Sequence, residues 1–390
     1  MPTPVTVQSA HSTTVTLTFN SSANASLAQY VAAAIQSGIA GGSVLAEASA
    51  YGSPPSIPVG KTGEWVETAP TPTTLTTRYD YIVDASTTTA NITGPGDSNV
   101  QVIAGSGNLT FNPALGSGTL IAGDGNDNFT VSSVSSGAWN IYLGDGADTV
   151  KVLNGGNDTI STGVGHDSLL LGSGNSTVST SGTDTITGTT GAETVTASGT
   201  DLVYGGASRL NFLSTAGGAT VYGGTGSDTV TGSTGPDYFQ GGSGGNNSLT
   251  AGSGAATLIG GGSGDQLFAK GAGAQILYAG SGNETLTGSS ASGAQDTFVG
   301  SGGASSVVAS QSATKNVFAF IDGSAGGSVF VTGLNNINQV DLHLSGYGAD
   351  NISDVASQNN NSGNLNIVLT DGTHITFTNV TSPLTGTNFS

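Results

Sequence analysis

No cysteine occurs in the 390 residues, so neither disulfide staples nor thiolate metal sites are available. Charged side chains make up only 8% of the chain, with 6 basic residues against 25 acidic ones. The resulting net charge of −19 repels phosphate backbones and anionic bilayers, which argues against nucleic acid as a partner. No apolar run of about 18 residues occurs, so no membrane-spanning helix is expected. The N-terminus, Met1-Pro2-Thr3-Pro4-Val5, has neither a basic n-region nor an apolar h-region. A cleaved secretory signal is therefore not expected, and any export must use a signal elsewhere.

What the chain has in excess is glycine, 64 residues, with Ser, Thr and Asn filling much of the rest. Such a composition cannot build a thick, helix-lined core. It leaves disorder, or a thin repetitive β-structure whose bends need Gly. A hydrophobic share of 35% spread along the chain favours the second. Clustered carboxylates in a stable fold need neutralising, which points to divalent cations.

From about residue 105 to 300 a Gly-rich bend and a short apolar strand alternate, with a period of about nine residues. The apolar position recurs at Val150, Ile160, Leu169, Val178, Ile186 and Val195, and continues through Val230, Leu249, Leu267, Ile276 and Leu286. Two such units close one turn of a flattened coil. The spacing predicts an all-β parallel β-roll or β-solenoid of about 18 residues per turn, with turns stacked at roughly 4.8 Å and about 11 turns between residues 105 and 300.

The flanks read differently. Residues 1–95 form an expected α+β head or arm: Val5, Val7, Val15, Leu17 and Phe19 alternate as strands, and Leu27, Val31, Ala34 and Ile35 share one helical face. Ser22 or Asn24 is the expected helix cap, and Gly41-Gly42 the stop. Residues 96–305 are the expected solenoid. Residues 306–390 form an expected β cap of antiparallel strands, including Val317–Ile321, Val340–Leu344 and Ile375–Phe377, covering the far end of the coil.

G-x-G-x-D occurs at Gly123–Asp127, Gly144–Asp148, Gly163–Asp167 and Gly224–Asp228, and Gly223–Val230 matches the full nonapeptide G-G-x-G-x-D-x-U. Here the chain resembles the repeats-in-toxin (RTX) family of type I-secreted bacterial proteins. The resemblance implies a parallel β-roll with Ca²⁺ held between turns. The chemistry supports that spacing independently, because Ca²⁺ takes six to eight hard oxygens and tight Gly bends expose several carbonyls in a small arc.

Ligand oxygens on one edge should recur once per turn. Asp127, Asp148 and Asp167 do so, with Asp124 and Asp145 beside them in the same bends. Asp228 is expected to pair with Asn246, Asp265 with Glu284, and the opposite edge offers Asp158 and Asn175. Ser176, Glu193, Ala219, Ala256 and Ala274 stand where Asp belongs, so only a few sites are expected. The competing reading of each Asp is a bend residue bonding its own backbone. The segment Asn364–Phe377 and the ending Asn388-Phe389-Ser390 resemble the family's uncleaved secretion tail, which implies type I export and folding on external Ca²⁺.

Enzymatic readings are thin. G-x-S-x-G at Gly241–Gly245 needs a following helix, yet the strand repeat continues there. The four His, at 11, 166, 343 and 374, form no zinc pair. An outward Thr array, including Thr185, Thr187, Thr194, Thr196, Thr229, Thr231, Thr285 and Thr287, suggests a T-x-T face. Carbohydrate adhesion would need exposed aromatics, for which Trp65 and Trp139 are the candidates, with packing at the rim of the head as the equal alternative for both. The expectation is a non-enzymatic, extracellular, calcium-binding structural protein that assembles head to tail into a homo-oligomeric filament, biofilm matrix or surface layer (S-layer). The runner-up is a cell-surface adhesin or ice-binding module, with cell-surface polysaccharide as a further candidate partner.

Overall fold

The computed structural model describes residues 1–97, 99–132, 134–153, 155–324 and 327–390. It is a mostly β protein, a parallel β-solenoid of about 14 turns with about 19 residues per turn, carrying one α-helix. The coil is thus longer than the Gly period suggested, because turns outside residues 105–300 keep the strand pairing without the glycines. The chain divides into two compact units, Met1–Leu202 and Val203–Ser390.

In the first unit, Thr3–Gln8 and Thr14–Phe19 form an antiparallel hairpin, and the helix runs from Ser22 to Ala40. Its cap is Ser21, one residue before the expected Ser22; the Ser21 hydroxyl accepts the Asn24 amide at 3.2 Å. Asn24 has another task. Its buried side-chain amide donates to the carbonyls of Ala122 (3.2 Å) and Leu143 (2.8 Å), tying the helix to the coil. Around this tie, Val7, Phe19, Ala28 and Ile35 pack on Val66, Val83, Ile103 and Ile121, which are outward residues of the coil wall. Asn24→Ala leaves two buried carbonyls without this donor, and should lower the unfolding free energy by about 1–3 kcal/mol. A urea titration followed by circular dichroism checks this; an unchanged midpoint would show that water replaces the amide at no cost.

Parallel pairing begins at Val44–Ala48, which pairs with Thr62–Glu67. One wall then continues through Tyr79–Asp84, Val100–Ala104, Gly118–Ile121 and Trp139–Tyr142. The other runs through Thr89–Gly94, Asn108–Pro113, Asn128–Val131, Thr149–Val152 and Ser168–Leu171. Alternate residues point inward, so the core is one side chain wide. Trp139 packs on Phe129 and Phe111 with ring centroids 5.1 and 6.1 Å apart. Both tryptophans are fully buried, so neither presents a ring to a carbohydrate.

In the second unit the inward column on one wall is Val230, Leu249, Leu267, Leu286 and Val307. On the other it is Val221, Phe239, Leu258, Leu277, Phe298, Phe318 and Leu342. Leu277, not the expected Ile276, takes the inward place. Gln275 is buried at the strand start, its amide donating to the carbonyls of Gly252 (2.8 Å) and Gly254 (3.1 Å), and this turns Ile276 outward.

The expected antiparallel cap is only partly antiparallel. Asn316–Ile321 pairs parallel with Val340–Ser345, and Ser328–Thr332 pairs parallel with His374–Phe377. The pairing stays parallel without the bend glycines because the chain crosses to the opposite wall between Ala304–Val308 and Ser328–Thr332, and again between Asn316–Ile321 and Val340–Ser345. Among the described residues of this region, Val355–Asn361, Asn364–Leu369 and His374–Phe377 form an antiparallel meander.

Candidate calcium turns

Many bends of the coil end in a polar residue at the start of the next strand with its side chain turned inward, although Ala219 and Ala256 hold that place in others. In the first unit these residues make a ladder along one edge. The Leu109 amide donates to Asp127 Oδ1 (2.6 Å), the Asp127 amide to Asp148 Oδ1 (2.7 Å) and the Asp148 amide to Asp167 Oδ1 (2.8 Å). The ladder continues from the Asp167 amide to Asp184 Oδ1 (2.8 Å) and from the Asp184 amide to Asp201 Oδ1 (2.9 Å). Every carboxylate therefore satisfies the backbone of the turn before it.

The second carboxylate oxygen separates these residues. Thr162 donates its hydroxyl to Asp184 Oδ2, and Thr180 donates to Asp201 Oδ2, both at 3.0 Å. Asp127, Asp148 and Asp167 are at most 3% exposed, and among the described residues no donor reaches Oδ2 of any of the three. These are the three strict G-x-G-x-D bends of the first unit. Burial pushes their carboxyls up to about 7, and the neighbouring carboxylates push the same way. A buried anion with an open lone pair and no counter-charge is costly, and a hard cation is the partner such an oxygen lacks.

The bends around them are built closely enough to supply carbonyls. A Cβ added to Gly144 would sit inside the van der Waals envelope of the Gly123 carbonyl oxygen, and one on Gly163 inside that of Gly144. Only glycine allows successive bends to stack so tightly. Among the described residues no group of three or more His, Asp or Glu side chains gathers as for a metal ion. Carbonyls must therefore complete any calcium shell, with one or two carboxylates per ion. Carboxylate charge and bend carbonyls together fit Ca²⁺.

Asp124 and Asp145 sit at the rim of these bends, facing the head. The Asn20 amide donates to Asp124 Oδ1 (3.3 Å), and the Asn20 side chain donates to Asp145 Oδ2 (3.2 Å). On the opposite edge Asp158 Oδ1 accepts the Trp139 amide at 2.8 Å, and Ser176, not Asn175, follows it in the inward column. Asn175 is exposed and belongs to an outer ladder, where it donates its amide to Asn157 Oδ1 (2.9 Å) and accepts from Ala192 (3.1 Å).

In the second unit the arrangement changes. The ladder runs from the Leu210 amide to Asp228 (2.8 Å), from the Asp228 amide to Asn247 Oδ1 (2.7 Å) and from the Asn247 amide to Asp265 (2.8 Å). Asn247, not the expected Asn246, holds the column; Asn246 adopts a left-handed φ of 63° in the bend. Here the second oxygen closes its own bend. Asp228 Oδ2 accepts Gly224 N (3.1 Å) and Asp265 Oδ2 accepts Gly261 N (2.7 Å). Glu284 likewise accepts Gly282 N (2.8 Å) and the Ser305 hydroxyl (3.4 Å). These are the contacts of bend residues bonding their own backbone.

Sequence reading missed Asp184 and Asp201, which stand in two Ser-Gly-Thr-Asp bends, Ser181–Asp184 and Ser198–Asp201. That repeat was the available signal. It also missed Asp84, whose Oδ2 lacks a donor among the described residues and whose carboxyl burial pushes up to about 6.

The enzymatic motifs dissolve in this frame. Gly241–Gly245 is followed by the strand Ser248–Thr250, and exposed His166 contacts the Thr183 carbonyl at 3.3 Å. The Thr array does not form one face: Thr185 and Thr187 pair with the Ser168–Leu171 wall, whereas Thr194 and Thr196 pair with Ser176–Gly182 on the opposite wall.

Residues 144–178, 179–208, 222–246 and 242–272 each match the RTX calcium-binding nonapeptide repeat, which bears out the resemblance read from the motif. These segments contain Asp145, Asp148, Asp158, Asp167, Asp228 and Asp265, while Asp124, Asp127 and Glu284 lie outside them. A search of curated proteins found no match.

Proposed function

We propose that this carrier of RTX repeats is a secreted structural protein, not an enzyme, which binds Ca²⁺ at the Asp127, Asp148 and Asp167 bends and then assembles head to tail into an extracellular filament, matrix or surface layer. Asp124 and Asp145 contribute to the same bends, and Asp158, Asp228, Asp265 and Glu284 are secondary candidates. Proteins with RTX repeats are typically exported by type I systems; the Asn364–Phe377 segment is the part of this chain we assign to that export.

The observation that carries the calcium reading is the row of three buried carboxylate oxygens without donors. Assembly is supported by open strand edges. Among the described residues, Val44–Ala48 pairs along one edge, with Thr62–Glu67. Among them too, Val355–Asn361 pairs with Asn364–Leu369 alone and is exposed over most of its length. Unpaired edges of this kind accept a further strand, and unlike edges at two places on one chain give a head-to-tail contact that propagates.

Negative-stain microscopy in EDTA and in millimolar Ca²⁺, with circular dichroism on the same samples, tests both parts. Fibres or sheets that appear with calcium support the reading. Monodisperse particles with full β-signal in calcium would remove the assembly, and turnover of a peptide or polysaccharide panel would remove the non-enzymatic assignment.

A further inference from the structure

The outward face of one wall of the second unit carries an aromatic strip that the strand alternation hides in the sequence. On successive strands Tyr222, Gln240, Ile259 and Tyr278 stand in register. Beside them run Thr220, Tyr238, Thr257 and Ile276. Tyr204 precedes the strip, 42% exposed. Its ring stacks on Tyr222 with centroids 5.4 Å apart and planes 11° apart, and Tyr222 in turn meets Tyr238 at 5.8 Å. The aromatic contacts hold the strip in one conformation, so little side-chain entropy is lost on binding.

Its chemistry is unlike that of the chain around it. From Thr220 to Thr297 no outward residue in these two columns carries a carboxylate or a base, although the protein carries a net charge of −19. Hydroxyls from Tyr and Thr and the Gln240 amide interleave with ring and aliphatic surface, one set per turn, at the strand spacing of roughly 4.8 Å. A flat, rigid, neutral strip of this kind complements a partner that is neutral, extended, and itself alternates C–H faces with hydroxyls at a similar repeat.

We propose that this strip binds a neutral, extended polysaccharide, with Tyr222 and Tyr238 as its centre. The sugar chain lies along the coil axis, its apolar faces on the tyrosine and isoleucine surface and its hydroxyls bonded to Tyr, Thr and Gln240. Absence of charge sets the selectivity: the strip offers an anionic polymer no base to pair with, and the protein's net charge of −19 disfavours its approach. This site is independent of self-assembly, since it uses a wall of the coil and not its open strand edges.

The test is co-sedimentation of the full chain, in calcium, with microcrystalline cellulose, chitin and an alginate gel. Retention is expected on one or both neutral polymers and not on alginate. Tyr222→Ala with Tyr238→Ala should reduce retention at least tenfold, whereas Thr229→Ala with Thr231→Ala, on the opposite wall, should leave it unchanged. Should the double alanine variant lose its β-signal, Tyr222→Gln serves instead, because Gln240 already occupies that column. Retention unaffected by the tyrosine substitutions, or absent from both neutral polymers, overturns the proposal. Sedimentation velocity on the same variants separates the other occupant: loss of self-association without polysaccharide binding would make the strip a contact between copies and overturn the sugar assignment.

Discussion

In EDTA, the protein is expected to lose stability as the pH is raised from about 4 to about 7, and millimolar Ca²⁺ is expected to restore it. The sign follows from the direction of the shifts. Asp127, Asp148 and Asp167 have folded-state values pushed up to about 7 by burial, above the usual range near 3.9 of an unfolded chain. The metal-free fold therefore holds more protons than the unfolded chain between those values. Its stability is greatest below about pH 4 and falls as the pH rises through about 7, by up to roughly 4 kcal/mol per group at about 1.4 kcal/mol per pKa unit.

Glu64, pushed up to about 8, and Asp84, to about 6, act in the same direction. Calcium needs the deprotonated form, so its contribution grows over the same window. It reaches about 3 kcal/mol per site once free calcium exceeds the dissociation constant about a hundredfold. Thermal melts at about pH 4 and about pH 8, each with EDTA and with calcium, read both effects. A metal-free protein more stable at the higher pH, or a calcium increment of the same size at both, would remove calcium from these bends.

Asp148→Asn is expected to make the metal-free protein more stable at about pH 8, by a few kcal/mol, and to cut the calcium increment by roughly half. Asp148 is the middle of the three, so its carboxylate adjoins two bends. Asparagine keeps the Oδ1 that accepts the Asp127 amide but removes the charge and the donorless oxygen. The protein already uses this substitute: Asn247 accepts the Asp228 amide at 2.7 Å, and its side-chain NH₂ donates to the Gly244 carbonyl at 2.8 Å. Asp184→Asn is the control, since Thr162 already satisfies its second oxygen; it should leave the calcium increment in place. Calcium titrations of melting temperature for both variants decide the matter. Equal increments in both would mean that the ladder is a backbone device alone.

The repeat was legible because it is local. A bend needing glycine and a strand needing one inward apolar residue recur within nine positions, and Val150, Ile160 and Leu169 announce themselves without knowledge of what they touch. The same locality explains the slips. Ile276 and Leu277 are adjacent and equally apolar, and only the buried Gln275, reaching back to Gly252 and Gly254, decides which faces inward. Asn246 and Asn247 pose the same ambiguity, settled by the left-handed backbone at Asn246. Beyond residue 300 the glycines fade and the strands look free to pair either way. Parallel pairing holds there because the chain still crosses to the opposite wall between strands of one wall, and Phe318 keeps the inward column by stacking on Phe298, with ring centroids 5.5 Å apart.

By itself the sequence determined the family of repeat, the parallel coil and the acidic edge, because each follows from residue spacing along one strand and one bend. The tertiary structure decided which carboxylates differ from one another. Asp127 and Asp184 occupy the same ladder and accept the same kind of backbone amide, but a threonine one turn earlier satisfies the second oxygen of Asp184, while no such hydroxyl reaches Asp127. Contacts between turns also brought the tyrosines of three separate strands onto one wall and buried both tryptophans. Such differences depend on neighbours about 17 to 22 residues away, set by bends of unequal length, and a period counted along the chain averages them out.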